Sequence, residues 1–182
     1  IKIAQKTNSY ILSIDSLSIY KEIDIVSAKP NKKELSLIKH YGIDEILPSE
    51  HFSVDIFISL YKKVSQECKK NNKGLIIVGG TSFYLKSLVD GLSELPIITA
   101  EVTISVKEEL IQLEKCHSLL SSIDETYMKN ISPNDSYRIE KALLIYRASG
   151  LSPSQWFKEN PPIPVIEDLE IYNIDVERDV LR

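Results

Sequence analysis

The stretch of residues 75–85 combines the pattern of a buried strand with a glycine turn and a hydroxyl group. Residues 75–78 are apolar without alternation, which is typical of a strand covered on both faces in a parallel sheet. Gly79, Gly80 and Thr81 follow, and apolar residues at helical spacing come next. Backbone N–H groups at a helix start bind anions, and open α/β sheets bind ligands at this edge. The stretch predicts an anion-binding turn, and a plain turn with Thr81 as helix N-cap fits it equally well.

A second apolar run, residues 10–14, leads into a carboxylate and a hydroxyl, Asp15 and Ser16. A carboxylate at the end of a parallel strand points into the ligand crevice of an α/β sheet. There it can accept a proton or hold a metal-bound water. The alternative is an ordinary aspartate that caps a helix.

Residues 53–72 form the clearest amphipathic helix in the sequence. Apolar residues recur on one face and include Cys68, whereas lysines crowd the polar face and the last turn. We interpret these lysines as a solvated surface that complements the helix dipole, in preference to an RNA-binding surface. The helix joins the Asp15 strand to the strand of residues 75–78, and this βαβ order predicts a parallel sheet.

The second half of the chain changes from strand patterns to helical ones. We predict an all-helical insertion over residues 97–133 and an α/β core made of residues 1–96 and 134–182. Within that core, a helix follows Asp135 and ends at Gly150, and another begins at Pro153. Residues 169–174 are predicted as a third core strand, and a further helix is predicted to start after it, near Asp175.

Composition limits the class of protein. The chain has 182 residues, of which 43% are hydrophobic and 26% charged, as in ordinary globular proteins. No run approaches the roughly 18 apolar residues of a membrane span, and the two cysteines have no metal-type spacing. A net charge of −4 argues against a bulk electrostatic nucleic-acid binder, but it leaves room for a local basic surface. We expect a cytoplasmic protein without a membrane partner.

Several blocks of the sequence resemble one family in the same order. Residues 14–30 resemble the pattern VDSxxxYxxMDIGTAKP, and Asp44 with residues 48–50 falls where that family has ID…DPSE. Residues 78–86 resemble VGGTxLYxKAL, and residues 133–143 resemble xNDxxRxxRALE. The family is tRNA dimethylallyltransferase, the bacterial isopentenyltransferases that modify the adenosine 3′-adjacent to the anticodon.

The resemblance implies a fold, a reaction and a set of site residues. The implied fold is α/β, with a nucleotide-binding, P-loop NTPase-like parallel sheet, flanking helices and a small all-helical insertion domain that faces tRNA. Dimethylallyl diphosphate is the implied donor and the exocyclic amine of adenosine the acceptor. Asp15 is the implied general base, Thr81 the hydrogen-bond donor to the diphosphate, and Arg178 the group that neutralises the leaving charge. The implied substrate-binding residues are Ser16, Leu17, Ser18, Gly79, Gly80, Tyr137, Arg138, Ile139, Glu140 and Lys141.

The sequence departs from the family pattern in its phosphate-binding loop. None of its six glycines is followed by lysine, so G-x-x-x-x-G-K-[ST] does not occur in it. Because the chain opens in an apparent helix, we expect this loop directly upstream of Ile1 and interpret the chain as trimmed at both ends. The resemblance implies Mg²⁺ on the diphosphate, held largely by that loop, and the chain alone is expected to be inactive. We expect a monomer.

Two further departures concern basic residues. Lys141 stands where the family often has arginine, a change that keeps the charge and loses bidentate geometry. Thr103 occupies roughly the place of a family arginine near the tRNA.

Three other functions fit parts of the sequence. An adenylate-type isopentenyltransferase would use a free nucleotide as acceptor, and the linker and insertion after Gly91 favour tRNA over it. A nucleoside or nucleotide kinase shares the strand–loop–helix arrangement but would turn over ATP without a prenyl donor. An inert RNA-binding fragment is the alternative that is not an enzyme.

Overall fold

The chain divides into two compact units. The computed structural model describes residues 1–27 and 29–177. The first unit comprises Ile1–Gly91 together with the chain from Pro164 onward, and the second comprises Leu92–Ile163.

The first unit is built on a parallel sheet of three strands, β1 (Ser9–Ser13), β2 (His40–Tyr41) and β3 (Gly74–Val78), in the order β2-β1-β3. β1 and β3 pair in register from Ser9 opposite Gly74 to Ser13 opposite Val78. Both strands were predicted, whereas the two-residue strand β2 was not. β1 lies in the centre and is largely buried, but β3 is half-buried and Val78 is exposed. The prediction that β3 is covered on both faces is therefore only partly met, because Leu75, Ile76 and Ile77 are half-buried and Val78 is exposed.

Four helices surround this sheet: α1 (Lys2–Lys6), α2 (Lys32–Leu37), α3 (Val54–Lys70) and α4 (Ser82–Val89). The predicted capping box at the start of α2 is present, since Asn31 and Glu34 each accept the other's backbone N–H. The start of α3 is capped by the Ser53 hydroxyl. These local bonds satisfy N–H groups that a helix leaves without partners at its first turn.

The core of the first unit lies between the sheet and α3. Phe57 of α3 stacks on Tyr84 of α4 with ring centroids 4.6 Å apart, and Leu12 and Leu88 complete the contact. Cys68 is buried on the same helix, as predicted. Each large apolar side chain buried in this way contributes roughly 1.5–3 kcal/mol to stability, so α3 is held firmly against the strands.

The second unit is entirely helical in its regular structure. It contains a 3₁₀ turn at Leu110–Gln112 and the helices α5 (Ala100–Glu109), α6 (Leu113–Ile123), α7 (Glu125–Met128), α8 (Ser136–Ser149) and α9 (Pro153–Glu159). The structure forms α8 and α9 where the sequence predicts them, with Gly150 in the left-handed conformation after α8 and Pro153 opening α9.

The compact helical unit is larger than the predicted insertion of residues 97–133. It begins at Leu92 and ends at Ile163, and it includes α8, which was assigned to the α/β core. The reason is packing: Ile139 and Leu143 of α8 form one apolar cluster with Val106 of α5 and Leu120 of α6. A salt bridge of 2.6 Å between Arg147 and Glu109 joins α8 to α5 as well.

The predicted third core strand at residues 169–174 does not form. These residues are irregular, and the apolar side chains of Ile171, Tyr172 and Ile174 are exposed rather than buried. Alternating hydrophobicity is consistent with a strand, but a strand also needs a hydrogen-bonded neighbour, and residues 169–174 pair with none of the strands β1, β2 and β3. Asp175 is not helical, and the rest of the helix predicted after it lies outside the described residues.

Within the described part of the chain, none of the helices has the length and apolar character needed to cross a membrane.

Asp124 is a buried carboxylate that connects α7 to α9. Its Oδ1 accepts the backbone N–H of Tyr127 at 3.0 Å and the hydroxyl of Ser154 at 2.9 Å, and its Oδ2 accepts the backbone N–H of Ser154 at 2.7 Å. Burial alone would raise the pKa of Asp124, but the hydrogen bonds from Ser154 and Tyr127 outweigh burial and hold the pKa below its ordinary value of 3.8. The ionised form therefore stabilises the helical unit.

We expect Asp124→Ala to lower the free energy of unfolding by about 2–3 kcal/mol, because it removes a charged acceptor and the N-cap of α7. In the unsubstituted protein this contribution is present above the unfolded-state pKa and is lost as pH falls through the lower folded-state pKa. Denaturant unfolding measured between pH 7 and pH 2 tests both points. Glu108→Gln, at an exposed position of α5, is the control. Equal stability of the Asp124 and Glu108 variants at pH 7 would contradict this role.

Candidate active site

The two sequence motifs meet at the carboxyl edge of the sheet. β1 ends at Ser13 and leads to Asp15, while β3 ends at Val78 and leads through the glycine turn to Thr81. Because Ser13 and Val78 are paired, both strands deliver their following residues to the same place. The Thr81 hydroxyl oxygen accepts the backbone N–H of Ser16 at 3.2 Å, so the two motifs are joined directly.

Position 79 requires glycine, because the backbone at the end of β1 lies very close to it. The φ of Gly79 is +149°, and a Cβ at this position would lie 2.9 Å from the backbone nitrogen of Asp15 and 2.9 Å from Ile14 Cγ1. Gly80 differs, since a Cβ there would meet nothing within 4 Å. Gly79 thus makes room for the Asp15 backbone and Gly80 borders open space, while the predicted binding of substrate by both glycines stays a prediction.

Thr81 occupies the N-cap position of α4 but does not cap the helix with its side chain. Its carbonyl accepts the N–H groups of Tyr84 and Leu85, and its hydroxyl oxygen is used by Ser16. The alternative interpretation, an ordinary threonine cap, is not what the structure shows. Because a hydroxyl both accepts and donates, the hydrogen of Thr81 is left to donate to a ligand.

The Asp15 carboxylate is half-buried beside Thr81. Its Oδ1 accepts the backbone N–H of Leu17 at 2.8 Å, which closes a tight turn after β1. Among the described residues, Oδ2 accepts no hydrogen bond. One oxygen of the carboxylate thus fixes its orientation, and the other can accept a proton from a ligand.

Ser16, Leu17 and Ser18 have different environments, although the sequence predicts that all three contact substrate. Ser16 is half-buried and Leu17 is exposed. Ser18 is buried, and its hydroxyl bonds to Ser13 Oγ at 2.7 Å and to the carbonyl of Gly42 at 3.0 Å. The side chain of Ser18 thus holds the turn, and its contact with substrate stays a prediction.

The predicted residues on α8 lie in the helical unit and are split between its core and its surface. Tyr137, Arg138 and Lys141 are exposed, and the Lys141 ammonium lies 5.3 Å from the Tyr137 ring centroid. The side chain of Ile139 is fully buried in the apolar cluster and packs there, and its contact with substrate stays a prediction. Glu140 is half-buried.

Arg178, the predicted partner of the leaving charge, lies outside the described residues.

One cluster near the site was not predicted from the sequence. The ammonium of Lys29 contacts the carboxylates of Asp24 and Asp44, at 3.0 Å and 2.6 Å. The one indication of this cluster in the sequence was the aperiodic stretch of residues 17–30. A loop of this length needs internal polar contacts to be ordered. Sequence alone does not show which of its charged residues are buried.

The fold and this edge define an α/β protein with a ligand site at the carboxyl ends of parallel strands. The model of the family described as IPP transferase matches residues 18–182. The tRNA dimethylallyltransferases of Sulfurimonas denitrificans and a Sulfurovum species are 64% and 54% identical to the chain over its whole length. The chain belongs to the IPP transferase family, and it spans 61% of the length of each of these relatives.

Two solved structures are similar to this one. A eukaryotic dimethylallyltransferase acting on tRNA matches with a TM-score of 0.75 and 25% identity, over 88% of this chain and 40% of that chain. The full-length tRNA isopentenylpyrophosphate transferase of Bacillus halodurans matches with a TM-score of 0.50 and 28% identity, over 84% of this chain and 51% of that chain. The predicted fold class, a P-loop NTPase-like parallel sheet with flanking helices and a helical domain, is confirmed.

The bond between Thr81 and Ser16 predicts a local effect of removing the hydroxyl. We expect Thr81→Val to accelerate exchange of the Ser16 amide proton about fivefold, because a typical hydrogen bond contributes about 1 kcal/mol. Global stability should change little, since the side chain does not cap α4. Amide exchange by NMR and thermal unfolding measure the two quantities.

Thr81→Ser is the matched control, because it keeps the hydroxyl and should leave Ser16 protected. Unchanged exchange of Ser16 in the valine variant would show that this bond does not hold the turn.

Proposed function

We propose that this chain is the part of a tRNA dimethylallyltransferase in which the transfer reaction takes place, at the carboxyl edge of the sheet. The reaction transfers a dimethylallyl group from dimethylallyl diphosphate to the exocyclic amine of the adenosine 3′-adjacent to the anticodon. The observation that carries the proposal is that the turn holding Asp15 and the Thr81 hydroxyl meet at one sheet edge, where Thr81 accepts the backbone N–H of Ser16. The identity to tRNA dimethylallyltransferases supports it.

Two side chains perform the proton and charge steps of the proposed reaction. The adenosine nitrogen forms a bond to the terminal carbon of the dimethylallyl group as the carbon–oxygen bond to diphosphate breaks, and diphosphate leaves with the electron pair. Asp15 accepts the proton that the amine loses, through the oxygen that does not hold Leu17. Thr81 donates its hydroxyl hydrogen to the diphosphate, where negative charge builds.

The donor set at this edge fits a magnesium ion that is held mainly by the diphosphate. Mg²⁺ usually keeps several waters and takes one or two carboxylates together with substrate phosphates. No group of three His, Cys, Asp or Glu side chains that could hold a metal occurs in the described residues, so the ion would be held by the diphosphate oxygens and water rather than by a protein cage. When bound, the ion neutralises charge on the diphosphate.

The exposed residues of α8 fit the RNA side of the proposed substrate. Arg138 and Lys141 can contact phosphates, and the ring of Tyr137 can stack on an unpaired base. Two of these residues are basic on a chain whose net charge is −4, and Arg138 also lies 3.5 Å from the carboxylate of Asp135. A tRNA substrate also implies that the protein works in the cytoplasm, and we propose that it does so as a monomer.

Transfer assays on the full-length protein test the proposed function. Labelled dimethylallyl diphosphate is offered with an anticodon stem-loop, with AMP, or with no acceptor, and ATP turnover is followed separately. We expect label on the stem-loop adenosine only. Label on AMP would favour the adenylate enzyme, ATP turnover without prenyl transfer would favour a kinase, and RNA binding without transfer would favour an inert binding module.

The general-base role predicts the effect of Asp15→Asn. The asparagine keeps an oxygen that can accept the Leu17 N–H, so the fold and donor binding should persist. Turnover should fall by about 10²–10⁴-fold, the usual contribution of a general base. Single-turnover transfer and donor titration measure the two effects, and Asp168→Asn, at an exposed position, is the control. Near-normal turnover of Asp15→Asn would leave Asp15 as a turn residue.

A further inference from the structure

The side chain of Lys29 is an almost completely buried cation. Only 3% of it is exposed, and its three N–H donors are matched by three acceptors. These are the Tyr20 carbonyl at 2.6 Å, Asp44 Oδ1 at 2.6 Å and Asp24 Oδ1 at 3.0 Å. Burial alone would lower the pKa of Lys29, but the hydrogen bonds to Asp44 and Asp24 outweigh it and raise the pKa, so the ammonium stays charged at neutral pH.

The partners of Lys29 belong to two segments that run side by side. Asp44 donates its backbone N–H to the carbonyl of Ser18 at 3.0 Å, and Lys21 donates its own to the carbonyl of Ile46 at 2.8 Å. Lys29 is bonded to the Tyr20 carbonyl between these two contacts and to the Asp44 side chain. The Lys29 ammonium thus links the segment after β1 to the segment after β2 through hydrogen bonds.

The link from Lys29 reaches Asp15 through two further hydrogen bonds, one between backbone groups and one from a backbone N–H to the Asp15 carboxylate. Tyr20, whose carbonyl is bonded to Lys29, donates its N–H to the carbonyl of Leu17 at 3.2 Å. Leu17 in turn donates its N–H to Asp15 Oδ1 at 2.8 Å. The orientation of the carboxylate therefore depends on a turn whose far end Lys29 holds.

The exposure of the Asp24 and Asp44 carboxylates to water indicates how the structure would respond to the loss of the Lys29 ammonium. The side chains of Asp24 and Asp44 are 73% and 43% exposed, so water can solvate both carboxylates when the ammonium is gone. Breaking an ion pair is most destabilising when it leaves a charge buried without a partner. Here the expected consequence is a loosened turn rather than an unfolded unit.

We propose that Lys29 is a positioning residue for the transfer reaction: it holds the turn after Asp15 in one conformation and so aims the carboxylate at the acceptor. The inference rests on the proposed function for its chemistry and on the hydrogen bonds of Lys29 for its geometry. Misplacing a reacting group by about 1 Å can cost about 10²-fold in rate.

The test compares Lys29→Met with Lys33→Met in the full-length protein. Methionine fills similar space without donors, and Lys33 is an exposed lysine of α2. For Lys29→Met we expect kcat to fall about 10²-fold, with the donor KM and the folded fraction little changed. Exchange of the Tyr20 and Asp44 amide protons should accelerate about tenfold or more, because hydrogen bonds to charged groups are stronger than neutral ones. Lys33→Met should behave like the unsubstituted protein.

A double-mutant cycle separates positioning from a general loss of stability. Asp44→Asn should lower kcat in the same direction, and the double variant should be no slower than Lys29→Met, because both changes break the same link. A normal kcat in Lys29→Met, or a loss of rate that follows global unfolding, would overturn the proposal. If the unsubstituted protein transfers no prenyl group, the proposed function fails, and unchanged amide exchange in Lys29→Met then overturns the positioning role independently.

Discussion

The parallel pairing of β1 with β3 is the constraint on which the candidate site depends. It fixes Ser13 opposite Val78, so the residues that follow the two strands must emerge together. The backbones then approach so closely that Gly79 has no space for a Cβ next to Asp15. The Thr81–Ser16 hydrogen bond closes the same junction. A carboxylate and a hydroxyl that are 66 positions apart in sequence thereby become neighbours.

In the turn after β1, buried polar groups stabilise the conformation of the candidate site. The Ser18 hydroxyl is buried and Lys29 is nearly so, yet each finds acceptors on neighbouring segments. Buried polar groups are tolerated when they are satisfied in this way, and they then favour one conformation over others. Asp15 differs from them because one of its oxygens is engaged and the other, among the described residues, accepts no hydrogen bond.

Local patterns in the sequence predicted most elements and the placement of Asp15 and Thr81 at the carboxyl edge of the sheet. The helix over residues 53–72, the capping box at Asn31 and the positive φ at Gly150 are set by neighbours in the chain, so they could be read directly. The two failures at residues 97–133 and 169–174 have a different origin. Which surface covers α8, and whether an alternating segment finds a strand to pair with, depend on residues far away in sequence.

Residues 137–141 are contiguous in sequence, but contiguity does not mean that all of them lie on the same surface of α8. Tyr137 and Ile139 are two positions apart, but the helical period turns one toward solvent and the other into the core. The motif therefore combines a surface requirement with a packing requirement. Arg138 and Lys141 are three positions apart and share the exposed face with Tyr137, so substrate recognition can vary there while Ile139 is constrained by the cluster it fills. Substitutions on α8 should accordingly separate into those at the exposed face, where the proposed RNA contact lies, and those at Ile139, which change stability.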